Sequence, residues 1–176
     1  MCRWWTDWLF LHDHKSCGQA HDACERKRLE VVSPEEAMKV VSGTFVYEQS
    51  PFPARFPRGY LPHKISVPLC RGTGSGHYTL FDLEIDEATS CVIVVSCNPL
   101  QDEIQNDERE KNYFDLANIL CARLVPWLRV GNIFHRVYDV VERQTNNFSC
   151  GVFCAANLFF DCLVDPSLRY SLAWIL

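Results

Sequence analysis

The sequence has no apolar run approaching the roughly 18 to 20 residues that a membrane-spanning helix needs, so no membrane span is expected. It also lacks cationic excess: 17 Lys and Arg stand against 22 Asp and Glu, a formal net charge of -5. That balance argues against nucleic acid or an anionic membrane as partner, because binding phosphates takes clustered cations. The one compact basic run, Arg26-Lys27-Arg28, reads as a solvated helix face. There is no internal repeat and no low-complexity tract, which excludes a solenoid or a linker-like chain. The first fourteen residues are interrupted too often by charged and polar groups for a secretory signal, so an intracellular protein, nuclear or cytoplasmic, is expected.

What is present suits one globular domain: 176 residues, 48% apolar and 22% charged, are enough to bury a sizeable core without covalent staples. The ten cysteines lie singly, as in Leu69-Cys70, Leu120-Cys121 and Asp161-Cys162-Leu163, and read mostly as reduced core thiols. His12, His14, Cys17, His21 and Cys24 are ligand types that zinc accepts, but they lack the paired-Cys knuckle of zinc modules. Neither a metal nor a cofactor is expected.

Local chemistry marks the elements. Ser33 before Pro34-Glu35-Glu36 is a helix start, since the hydroxyl caps free amides and the carboxylates suit the dipole; the helix should run to about Val41. Pro51, Pro53, Pro57, Gly59 and Pro62 make 51–62 a loop. Residues 64–69 alternate like a strand, and 71–76 form a glycine-rich connector. Residues 78–85 and 91–96, separated by Asp86-Glu87-Ala88-Thr89-Ser90, predict a hairpin with a five-residue loop. Over 107–124, Tyr113, Leu116, Ala117, Leu120 and Leu124 recur at helical spacing, and Pro126 helps to end the helix. A further strand is predicted over 134–141, then a polar turn over 144–149. From Cys150 to Leu163 the chain is nearly all apolar or small, which predicts a buried central helix.

Cys150 differs from the other cysteines because it stands where an Asn-rich polar loop enters that buried helix. A sulfur there faces unsatisfied amides and the positive end of the dipole, which favour its charged, nucleophilic form. A nucleophilic thiol needs a base, and His77 heads a predicted strand from which an imidazole can reach the helix start. Gln144, six residues before Cys150, can donate its amide hydrogens to the oxyanion of a tetrahedral intermediate.

The stretch Gly76-His77-Tyr78-Thr79-Leu80-Phe81-Asp82-Leu83, the strand Val92-Ile93-Val94-Val95 and the block from Gln144 through Cys150-Gly151-Val152-Phe153 resemble the ubiquitin-like-protease family, the deSUMOylases and their viral and bacterial relatives. That family shows His-Trp before an apolar strand, a second strand ending in Asp-Ser, and Gln six residues before Asp-Cys-Gly-[Val/Ile]-[Phe/Tyr]. The resemblance covers about residues 64 to 163. It implies a papain-like α+β fold in which a central helix carrying the nucleophile packs on a mixed β-sheet. On this reading 63–176 is the catalytic core, and 1–62 is a poorly matched helical and looped part packed on it. The unmatched beginning and the short tail after Pro166 would suit a piece of a longer chain.

The resemblance further implies a monomeric cysteine peptidase or isopeptidase that cleaves after the C-terminal Gly-Gly of a SUMO-like modifier through an acyl-enzyme. Cys150, His77 and Gln144 would take the family's roles, with Tyr78, Asn147 and Phe148 against the substrate. Three positions depart from the family pattern: Tyr78 stands for Trp, Ser149 for Asp, and the second strand ends Ser96-Cys97-Asn98 with no Asp at the triad position. Asn98 is the choice for orienting His77, because an amide oxygen accepts an imidazole N–H; Ser96, Cys97 and Asp102 are the alternatives. A neutral orienter steadies imidazolium less than a carboxylate, so a slower enzyme or a dead one is expected. Two other functions stay open: a modifier-binding module without catalysis, and acetyl transfer on a related Cys-His scaffold.

Overall fold

The computed structural model describes residues 29–45, 62–71, 76–98, 107–128, 131–138 and 150–163. Along the chain these form β1 (Leu29–Val31), α1 (Pro34–Ser42), β2 (Lys64–Arg71), β3 (His77–Asp86), β4 (Cys91–Cys97), α2 (Asp107–Leu124), β5 (Asn132–Tyr138) and α3 (Cys150–Leu163). The strands lie in one sheet in the order β1-β2-β3-β4-β5. β3 pairs antiparallel with β2 and β4, while β1 and β5 pair in parallel with their neighbours. This is the mixed-sheet α+β architecture expected from the sequence. Among the described residues, no helix is long and apolar enough to cross a membrane.

Alternation along the strands gives the sheet two buried faces. Ile65, Val67, Leu69, Phe81, Leu83, Ile85, Val92 and Val94 point one way, onto α1 and α2, whose Ala37, Val40, Tyr113, Leu116, Ala117, Leu120 and Leu124 complete the main core. All five residues assigned to the buried stripe of α2 are in that core. Leu80 and Cys97 point the other way and meet Cys154 and Leu158 of α3. That face also carries a polar tie: Ser66 Oγ donates to Asp82 Oδ1 at 2.6 Å, and Lys64 Nζ lies 3.0 Å from Asp82 Oδ2. Asp82 is 1% exposed, so these partners stand in for water around its carboxylate.

α1 begins with a capping box in which Glu36 N–H donates to Ser33 Oγ and Ser33 N–H donates back to Glu36 Oε2. It ends at Gly43, whose φ of 86° is the left-handed conformation that glycine adopts without strain. The Arg123 guanidinium of α2 donates to the Val40 carbonyl and so joins the two helices. Pro68 is accommodated because β1 has ended before it. Ser66 C=O accepts from Val32 N–H, and Pro68, two residues on, turns its donor-less nitrogen toward the same side.

The structure moves several predicted boundaries. β2 continues through Arg71, into the predicted connector, because Cys70 and Arg71 still pair with Tyr78 and His77. The hairpin loop has four residues, since Asp86 and Cys91 pair across it; inside it Asp86 accepts from Ala88 N–H and Thr89 Oγ1. β5 starts two residues earlier than predicted, where Asn132 pairs with Cys91; residues 139–141 and the predicted loop 51–61 lie outside the described residues. β1 was not predicted at all.

Removing the Asp82 carboxylate leaves Lys64 and Ser66 without their buried partner. Asp82→Ala is expected to lower unfolding free energy by about 3 kcal/mol, measured by urea titration; a loss under a few tenths would show that the tie is dispensable.

Candidate active site

Three residues distant in sequence come together where β3 begins. Cys150 is the first residue of α3, which packs on β3, and is 3% exposed. Its Sγ accepts from the backbone N–H of Tyr78 at 3.3 Å and lies 4.0 Å from the Gly76 carbonyl oxygen. The sulfur is thus held by the backbone on either side of His77. Tyr78 lays its ring against the first turn of the helix, 3.6 Å from where a Cβ on Gly151 would be.

His77 meets Asn98 on its other side, with Nε2 2.6 Å from Asn98 Oδ1. An amide oxygen only accepts, so the ring nitrogen donates and the imidazole is held as the tautomer protonated at Nε2. Asn98 directly follows β4 and is 5% exposed. Its Nδ2 donates to Tyr113 Oη of α2 at 2.9 Å. Tyr113 is itself fixed by packing: its ring meets Phe81 edge-on at 5.7 Å and lies 6.3 Å from the His135 ring.

The other candidates for orienting His77 are placed elsewhere. Ser96 Oγ bonds His135 Nε2 at 3.0 Å. Cys97 points to the opposite face, where its Sγ accepts from Asn157 Nδ2 of α3 at 3.7 Å. Asp102 lies outside the described residues, as do Gln144, Asn147 and Phe148. The Tyr113 hydroxyl is the part of this network that the sequence reading missed. A tyrosine among aliphatic core positions was the available signal, since a buried phenol usually takes a hydrogen-bond partner.

The neighbouring thiols are suited to packing rather than chemistry. Burial pushes the Cys154 thiol well above its ordinary range, with smaller contributions from the nearby Cys97 and Cys150 sulfurs. Burial alone raises Cys121 to about 12. Among the described residues no three His, Cys, Asp or Glu side chains converge to hold a metal; the N-terminal set from His12 to Cys24 lies outside them.

The sequence matches no family model and no curated protein. Solved structures do match. A de-sumoylating protease superimposes with a TM-score of 0.54 at 15% identity, over 90% of this chain and 64% of that one. The C-terminal Ulp1 protease domain in complex with Smt3, the yeast ortholog of SUMO, gives 0.53 at 13% identity, over 86% of this chain and 67% of that one. The chain has the ubiquitin-like-protease fold. The Xanthomonas campestris effector XopD bound to ubiquitin matches at a TM-score of 0.50 and 13% identity, over 99% of this chain and 76% of that one. The chain therefore spans between 64% and 76% of the length of these ubiquitin-like-protease structures.

The raised Cys121 thiol gives a signed expectation. Below pH 9.0 folded and unfolded chains both hold the proton; between 9.0 and about 12 the unfolded chain releases it first, so stability falls as pH rises through that window. Cys121→Ala should flatten this part of the stability profile, read from urea midpoints at stepped alkaline pH; an unchanged slope would refute it.

Proposed function

We propose that the chain is a cysteine peptidase or isopeptidase that cleaves after the C-terminal Gly-Gly of a ubiquitin-like modifier, with a SUMO-like modifier as the first choice. The observation that carries this reading is that the backbone flanking His77 holds the Cys150 sulfur while the His77 ring meets Asn98. Cys150 Sγ is held by the backbone of the residue after His77, and His77 Nε2 is held by Asn98 at 2.6 Å. The ubiquitin-like-protease fold, with Ulp1 in complex with a SUMO ortholog and XopD bound to ubiquitin among its matches, supports the choice of partner.

In this mechanism His77 uses Nδ1 as the base, because Nε2 is committed to Asn98. Nδ1 takes the thiol proton as Cys150 Sγ attacks the carbonyl carbon of the last glycine. The carbonyl π electrons move to oxygen, and the Gln144 amide is proposed to receive that charge. As the intermediate collapses the C–N bond breaks, and the imidazolium returns its proton to the leaving amine. Water, deprotonated by His77, then hydrolyses the thioester. Tyr78, Asn147 and Phe148 are proposed to line the path of the modifier tail. Residues 63–176 would carry the catalytic residues, with β1 and α1 of the 1–62 part built into the same sheet and core.

Asn98 sets the pace of this mechanism. An amide fixes the tautomer but brings no negative charge to the imidazolium, so Asn98→Asp should raise kcat by about tenfold or more, and Asn98→Ala should lower it by a similar factor. Cleavage of a modifier–peptide fusion by purified variants reads both. Asn98→Ala as fast as wild type would remove Asn98 from the mechanism.

The same neutral amide favours a second reading, a relative that binds the modifier without cleaving it. A modifier carrying a C-terminal electrophile separates the two. The peptidase reading expects covalent capture at Cys150 that Cys150→Ala abolishes; saturable binding without capture would establish a recognition module instead.

A further inference from the structure

A primary amide presents two ends of nearly the same shape, and turning it over exchanges its acceptor for its donors. In the orientation seen here, Oδ1 of Asn98 faces His77 and Nδ2 faces Tyr113. The reverse orientation would aim N–H at Nε2, move the ring proton to Nδ1 and cancel the base. Asn98 is 5% exposed, so solvent does little to select between the two. Its far-end contact is with a phenol carried on a separate element, α2.

We propose that Tyr113 is a positioning residue for His77, acting through the side chain of Asn98. The inference rests on the reading of His77 as the base. Tyr113 Oη is 2.9 Å from Nδ2, and Tyr113 is 5% exposed. Its ring is braced by Phe81 on β3 and by His135 on β5. His135 is in turn bonded to Ser96, two residues before Asn98 on the same strand face. The phenol therefore belongs to a closed set of contacts around Asn98, drawn from β3, β4, β5 and α2. Without its oxygen, Nδ2 would be buried with that acceptor gone, and the amide would turn over or swing away from the ring. A phenol also donates, so the same residue would hold a carboxylate at position 98.

Tyr113→Phe keeps the bracing ring and deletes the oxygen. The expected result is a kcat lowered roughly tenfold with KM unchanged, because the amide never touches substrate. The imidazole 15N resonances of His77, assigned by their loss in His77→Gln, should move from the Nε2-protonated pattern toward a mixture of tautomers. In an Asn98→Ala background, Tyr113→Phe should change neither quantity further, since its route to the ring has gone. Identical His77 resonances in Tyr113→Phe and wild type would overturn the proposal. So would a Tyr113→Phe effect of equal size with and without Asn98. The 15N measurement needs no substrate, so it decides the role of Tyr113 even in a chain whose Cys150 fails to react with the electrophilic modifier.

Discussion

The register between β3 and β4 is the constraint on which the rest depends. Leu80 stands opposite Cys97, so Asn98 emerges one step later on the α2 face, the face that also carries Ser96, Phe81 and, at the start of β3, His77. A shift of one residue would turn Asn98 toward α3 and bring Cys97 round to the imidazole side. It would also take Val92 and Val94, now fully buried, out of the core they share with α2, so the hydrophobic pattern of β4 fixes the placement of the amide. Burial of aliphatic side chains thereby decides which face of the sheet carries the amide.

The sheet also explains why the residues meet at a strand end. Imidazole, amide and phenol belong to the layer between the sheet and α2, whereas the sulfur comes from α3 on the opposite side. In the middle of the sheet the two layers are separated by the strands themselves. At the first residues of β3 that barrier stops, and a backbone N–H can reach the sulfur. The geometry asks for a helix beginning level with a strand beginning, which the polar-to-apolar change at Cys150 announces.

Much of this was legible because it is local. Ser33, Glu36 and Gly43 specify the ends of α1 by chemistry that acts within a few residues. The stripe on α2 and the hairpin of β3 and β4 follow from periodicity. Asn98 was separable from Cys97 by parity alone, since neighbours on a strand face opposite ways. Ser96 was harder to set aside, because it shares the face of Asn98 and is displaced only by its bond to His135, 39 residues away. β1 was not legible: three residues carry no period, and their pairing with Lys64, Ile65 and Ser66 arises from contacts over a long stretch of chain. The Tyr113 hydroxyl was hidden inside a pattern that counted tyrosine only as apolar. The chain retains the fold of its structural neighbours at 13 to 15% identity because packing tolerates substitution that preserves volume and face.

The buried tie among Lys64, Ser66 and Asp82 acts on the same sheet in a different way. A two-residue slip of β2 along β3 would keep every apolar side chain on its own face, so hydrophobic patterning cannot reject it. The carboxylate can. Such a slip would leave Asp82 opposite Pro68 or Lys64 in place of Ser66 and break its fitted contacts. One of those alternatives would strand a charge against a ring with no hydrogen to offer. The three side chains thus discriminate between pairings of β2 and β3 that greasy contacts alone would treat as equivalent.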